Sequence, residues 1–466
     1  KFDPISTHDY YAMAGIFKSS ELLNGYASRQ GGGNNRAGAD RFHQIAGDDE
    51  VDNKAVAEAE VRRRQAQKKL QALKKEVDEL KSRQKKMARD KAMPAQKKKT
   101  TLAELRSELR TKSKSLNQMQ KRMKQMKNNA PTVPVAMGLR DMSSPADAAI
   151  NIKGDAHRLG RKVARGYPAV LHFDGQPVVE AGASGRRELA EWLLDPQHPL
   201  TARVMVNRVW HHLFGRGIVR TVDNFGITGE RPSHPELLDF LAARFIDEQG
   251  WSVKTLIRDM VTSRAYRAGS QHLEANYAGD PDNIYLWRMN RKRLEAEALR
   301  DAILLAGGEL NLEPLAGSPV SAMAAAEIRD SRAAPNSRHR SVYLPIIRDK
   351  VPPFLTLFDF PTPSEVKGAR DITTVAPQAL FFMNNPKVIQ QARALSGKLL
   401  NDESLNDTQR IRRIFLQTVG RRPAEAEVAG IAAYLDERIE EKVKPDVAWS
   451  EAVQSLFASV EFRTLN

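Results

Sequence analysis

Two apolar seams between residues 53 and 128 constrain this chain more than any other feature. Leu70, Leu73, Val77, Leu80 and Met87 recur at alternating spacings of three and four, with Gln84 filling one gap. Val56, Ala59 and Ala66 extend the same phase backwards. A second run follows in Leu102, Leu105, Leu109, Leu116, Met119, Met123 and Met126, interrupted by Lys112. A repeat of this kind lines one face of a helix and demands a partner helix to cover it. Between the runs, Pro94 breaks a helix interior. Thr101 with Glu104 then predicts a capping box that restarts one. The pattern predicts an antiparallel helical hairpin whose second arm, about 28 residues long, reaches roughly 40 Å.

The hairpin also carries the charge. Residues 53–128 hold 25 Lys and Arg against 8 Asp and Glu, while the whole chain of 466 residues has a formal charge of +16. The remainder is therefore a near-neutral body. A basic element of this kind attracts an anionic glycan or an acidic partner. Its plainer use is a solvated coiled coil that sets a distance. Phe, Tyr and Trp are absent from 53–128, so stacking platforms for single-stranded nucleic acid are missing and a nucleic-acid partner is disfavoured. No apolar run approaches the ~20 residues of a membrane-spanning helix. The chain has no cysteine, which excludes disulfides, thiolate zinc sites and thioether-bound haem within these residues.

The expected fold class is mainly α: a helical C-terminal body, a small β module and a projecting antiparallel coiled-coil hairpin. Residues 5–17 have helical composition, with Tyr10, Tyr11, Met13, Ile16 and Phe17 as core. Residues 21–52, including "GGGNN" at 31–35, read as a linker. Within 129–183, "TVPVAM", "AAINIK" and "AVLHF" are short and β-favouring. From 184 to 466 the chain reads as mostly helical. Ser233 with Glu236 predicts a capping box for a helix through Phe245, and Ser252 caps another. Further helices fit 293–306, 376–400, 406–419, 424–441 and 446–458, with one strand at "SVYLPII".

The stretch "HPLTARVMVNRVWHHLFGRGIVRTVDNFGITGERPSHPELLDFLAARF" resembles the helical planctomycete-specific domain of large bacterial proteins of that phylum. The likeness continues through "KRLEAEALRDAILLAGGEL" (292–310), "RSVYLPIIRDKVPPFLTLFDFPTPSEVKGARDITTVAPQALFFMNNP" (340–386) and "LFASVEFRTLN". "KFDPISTHDYYAMAGIF" looks like the tail, residues 1–20, of the preceding domain in such proteins. A Cys-x-x-Cys-His run and a cytochrome c domain commonly lie upstream of it there. The resemblance therefore implies an N-terminally truncated, extracytoplasmic protein of the cell envelope. Any haem c would sit in that upstream region, with no cofactor inside this chain. The family carries no settled activity, so binding, redox-linked assembly, processing of anionic polysaccharide and pure scaffolding all stay open.

Two constellations are candidate ligand sites. In "NRVWHHLFGRG", Arg203, Asn207 and His211 share one helix face, and Arg208 with His212 shares another. Adjacent histidines point about 100° apart on a helix, so His211 and His212 cannot jointly hold one metal from it. The plain alternative is that Asn207 and Arg208 tie neighbouring loops and "FGRG" stops the helix. The second constellation gathers Tyr343, Arg348, Asp359, Arg370 and Gln378 among prolines and aromatic residues. Such groups form either loop-holding ion pairs or a polyol- or anion-binding pocket. Buried charges are costly unless paired, so Asn207, Arg208, Tyr343, Arg348, Asp359 and Arg370 are expected to converge on one region. Neither a nucleophile elbow nor a phosphate-binding glycine loop is present.

Overall fold

The computed structural model describes residues 3–23, 43–44, 50–89, 94–128, 135–315, 337–348 and 350–465. The "GGGNN" stretch lies outside the described residues. The chain is mainly helical, with only small antiparallel strand pairs. It divides into two compact units, one of residues 5–192 and one of residues 1–4 with 193–466.

In the first unit, helix α1 (Thr7–Lys18) opens with a capping box. Ser6 Oγ accepts from the Asp9 N–H, and Asp9 accepts from the Ser6 N–H. Tyr11, Ala12 and Ile16 are buried. Tyr10 and Phe17, seven residues apart, share the opposite face and are exposed, correcting their expected place in the core. Among the described residues the unit contains three two-stranded antiparallel pairs. Strand β1 (Ser20–Leu23) pairs with β4 (Gly138–Asp141), and β2 (His43–Gln44) with β3 (Val135–Ala136). Strand β5 (Ala148–Asn151) pairs with β6 (Leu159–Val163) through a bulge, and Tyr11 and Ala12 pack on Ala148 and Val163. "AVLHF" is not a strand. Pro168 leads into a tight turn at Ala169–Leu171.

Helices α2 (Glu50–Arg89) and α3 (Ala95–Asn128) pack on each other as the basic hairpin. Ala66, Val77 and Leu80 are buried along α2, and Leu70, Leu73, Gln84 and Met87 are half-buried. Along α3, Leu102, Leu105, Leu109, Leu116, Met119, Met123 and Met126 are all half-buried. The side chain of Val56 lies outside the described residues. Lys112, at the interrupted position, places its Nζ 2.6 Å from Glu76 on the facing arm. Helix α3 starts at Ala95, directly after Pro94, so Thr101 and Glu104 lie inside it and form no cap. Proline's fixed φ and missing N–H suit a helix start, and that signal outranks the Thr/Glu pair. At 34 residues, α3 extends about 50 Å.

Helix α4 (Arg186–Leu194) runs across the boundary between the units. In the second unit, α5 (Thr201–Phe214), α6 (Pro235–Asp247) and α7 (Val253–Thr262) enclose Val206, Phe214, Phe245, Leu256 and Met260. Burying each such side chain stabilises by about 1.5–3 kcal/mol. Ser252 caps α7 as expected, accepting from the Thr255 N–H. Ser233 does not cap α6. Its hydroxyl lies within bonding distance of the Ile218 carbonyl and of His234 Nδ1, and His234 takes the cap position without a side-chain bond to the helix.

After the short helix α8 (Glu274–Gly279) comes a second core, built on α9 (Ala296–Ala306), α10 (Pro353–Leu357), α11 (Ala376–Asn384) and α12 (Pro386–Leu400). Helices α13 (Asp407–Thr418), α14 (Glu425–Glu440) and α15 (Pro445–Ala458) complete it. The single helix expected over 376–400 is two. Pro386 forces Asn385 into extended backbone (ψ 123°), and the Asn385 side chain caps α12. "SVYLPII" is a tight turn at Ser341–Tyr343 rather than a strand, since Asp301 accepts from the Ser341 N–H and hydroxyl. Strand β7 (Lys292–Arg293) pairs with β8 (Thr464–Leu465) near the C-terminus.

Candidate functional site

Helix α5 ends as its sequence suggests. Gly215 adopts the left-handed cap (φ +81°) and its N–H reaches the His211 carbonyl. Two residues on, a Cβ at Gly217 would lie 2.4 Å from the Val219 carbonyl and 3.0 Å from the Asn207 amide, so only glycine fits. That close approach lets the loop fold back on Asn207, which is fully buried. The Asn207 amide donates to the Val219 carbonyl (2.9 Å) and accepts from the Val219 N–H (2.8 Å). Asn207 therefore faces the core and ties the neighbouring loop, as the plain alternative expects.

The neighbouring Arg208 and His212 are exposed, and His211 is half-buried. Arg208 lies 3.5 Å from Asp223, and Asp223 in turn accepts from the Gly368 N–H. The His211 and His212 rings meet edge to face, 5.5 Å apart. His211 Nδ1 is buried without a hydrogen-bond partner among the described residues. Burial first, then the charges of His212 and Lys292, hold the His211 pKa below its ordinary value, against the pull of Glu295 and Asp223. Lys292 donates to the His212 carbonyl, and Asn290 donates to the Phe214 carbonyl at 3.0 Å. A cation and an amide thus satisfy the orphan carbonyls that end α5.

The second constellation is a network around Asp359, whose backbone sits at φ +64°. Arg293 meets Asp359 at 2.6 Å, both side chains being mostly buried. Thr373 adds its N–H (2.9 Å) and hydroxyl (2.7 Å) to the same carboxylate. Burial raises the Asp359 pKa, but these bonds outweigh it and hold the carboxyl below its usual range. Gln378 is buried and donates to the Leu357 carbonyl (3.0 Å) and the Thr373 hydroxyl (3.3 Å). Arg370 grips Glu297 with two bonds (2.6 and 2.9 Å), lies 3.3 Å from Glu295, and covers the Phe360 ring at 5.2 Å.

The structure thus brings Asp359, Arg370 and Gln378 together. It links Arg208 to the same loop through Asp223 and Gly368, and Glu295 acts on both Arg370 and His211. It does not bring in Tyr343 or Arg348. Tyr343 sits in the turn at Ser341–Tyr343, and Arg348 is exposed with no ion pair among the described residues. Sequence reasoning missed Arg293, Glu297 and Thr373. Arg293 and Glu297 fall inside the matched "KRLEAEALRD" run, where the helical period drew attention away from the charges. Among the described residues no group of three or more His, Asp or Glu is placed to hold a metal ion.

None of the eight candidate residues lines the cavity of about 500 Å³ in this unit, which lies between α9, α10 and the junction of α11 with α12. Chemically, the Asp359 network consists of ionised acceptors already saturated by arginine and threonine. It fixes the loop of residues 358–378 to β7 and α9.

A family model described as PSD1, a protein of unknown function (DUF1553), matches residues 185–435. The chain belongs to this family. No curated protein and no solved structure matches the chain.

Proposed function

We propose that this chain is an extracytoplasmic binding and assembly module of the cell envelope, and that its basic hairpin is the binding face. The observation that carries this reading is the segregation of charge onto α2 and α3. Even complete pairing of the 8 acids within residues 53–128 leaves 17 of the 25 cations without a partner there. The ion pairs seen between described hairpin residues are Arg62 with Glu58, Lys81 with Asp78, and Lys112 with Glu76. Lys68, Lys69, Lys74, Lys75, Lys85 and Lys86 are all exposed. A rod of cations without stacking aromatics suits a flexible polyanion recognised by charge, and an anionic polysaccharide of the envelope fits that chemistry. The expected haem c association belongs to a neighbouring segment or protein. With no cysteine, this chain cannot anchor a c-type haem through thioethers.

The test is binding of the full chain to alginate and to uncharged dextran at low and high salt. Alginate binding that weakens steeply with salt, with dextran inert, is the expected outcome, because exposed charges are screened beyond about 8 Å at physiological ionic strength. Equal binding to both polymers, or none to alginate at low salt, would refute the reading. A second reading, pure scaffolding by the helical body, is favoured by the saturated Asp359 network. A failed alginate test would leave that reading standing.

A further inference from the structure

The cavity of the second unit has an unusual electrical balance. Its walls are apolar: Ile303 and Leu304 from α9, Leu355 and Leu357 from α10, Phe381 from α11 and Val388 from α12. Three cations line it, Arg300, Arg338 and Lys387. Arg300 is mostly buried and spends its donors on the carbonyls of His339 and Ser337 and the Ser341 hydroxyl, with Asp301 at 3.5 Å. Lys387 has no ion pair among the described residues. It also sits in the first turn of α12, where the helix presents its positive end and no acidic side chain is present. The carboxylate on the lining, Glu309, is engaged by Arg338 (3.2 Å) and by the Gln391 amide (2.7 Å). One wall thus concentrates positive charge with nothing to answer it at Lys387. Burial, then repulsion from Arg300, pushes the Lys387 pKa down.

We propose that this cavity binds a small amphipathic anion, with its apolar body against Leu304, Leu357 and Phe381 and its carboxylate beside Lys387. The size falls within the ~300–1,000 Å³ typical of small-molecule sites, as do apolar walls with a few convergent polar groups. The head group gains a charge-assisted bond from Lys387 at the exposed edge of the cavity, while the apolar tail leaves water inside it. The site is independent of the hairpin, so its ligand and any polysaccharide are separate.

Isothermal titration of the full chain with decanoate tests the proposal. Acetate supplies the head without the tail, and decyltrimethylammonium supplies a similar tail with the opposite charge. Saturable 1:1 binding of decanoate is expected, with both controls weaker by about tenfold or more. Lys387→Gln should weaken decanoate binding by about tenfold, and Lys387→Arg should largely preserve it. Because Lys387 is substantially exposed, both variants should melt like the parent, and both should bind alginate unchanged. The proposal is overturned by any of three results: no saturable decanoate binding, equal binding of the two tailed ions, or an unaltered affinity in Lys387→Gln. Vesicles of phosphatidylglycerol distinguish a membrane from a free ligand. Co-sedimentation with them that Lys387→Gln abolishes would overturn the small-molecule assignment.

Discussion

Asn207 and Val219 exchange two hydrogen bonds in full burial, across twelve residues of sequence. The amide thus closes the loop that follows α5 and satisfies two backbone groups that water cannot reach. Asn207→Ala should leave both unpaired, at about 1–3 kcal/mol for each orphan. Urea unfolding should show a loss of roughly 3 kcal/mol. Asn207→Asp should not rescue it, because a carboxylate cannot donate to the Val219 carbonyl. A loss under about 0.5 kcal/mol, the noise of ordinary surface substitutions, would mean that the loop is held otherwise.

Arg293→Met removes the partner of a mostly buried carboxylate. Asp359 keeps its two bonds from Thr373, so the expected cost is about 3 kcal/mol, at the low end for breaking a buried pair. Adding Asp359→Asn to Arg293→Met should recover part of the loss, since no unpaired charge then remains. A double-mutant cycle by denaturant unfolding measures this. Strict additivity of the two single changes would show that the pair is not coupled.

His211 gives the second unit a defined pH response. Its folded pKa lies below the ordinary value of 6.5, so the unfolded chain binds the proton more readily. Stability from this group is therefore full above the unfolded value and is lost as pH falls through the folded one. Melting temperature should decline on acidification below about pH 6.5, and His211→Gln should flatten that decline. His198, also depressed by burial, contributes with the same sign and should leave a residual slope in the variant. An unchanged profile in His211→Gln would contradict the assignment.

Replacing residues 53–128 by a short Gly/Ser linker should leave the helical body folded. The cores of the second unit draw no residue from α2 or α3. Calorimetry should retain a cooperative transition for the shortened chain. Its disappearance would show that the hairpin stabilises the body.

The hairpin was legible because a heptad seam needs only local periodicity, and each expected α3 position from Leu102 to Met126 is half-buried. The end of α5 was legible for a similar reason: Gly215 must be left-handed, and the sequence says so. The site was harder. Asp359 and Arg370 were visible as charges among prolines, but their partners Arg293 and Glu297 lie 66 and 73 residues away, and no local rule pairs them. Asn207 was open to two readings because a helical wheel places it beside Arg203 and His211. Only the fold-back at Gly217 turns its position into a buried one. The cavity was invisible because its walls come from four helices brought together by packing.

Lys112 makes the hairpin intolerant of sliding. A shift of one heptad between the arms, about 10 Å, would carry its ammonium away from Glu76 to face Lys69 or Arg83, exchanging attraction for repulsion. The arms therefore click together in one notch, and the tip stands at one fixed distance from the base. A polyanion bound there, as proposed, would be held at a set reach, as by a ruler with a single graduation.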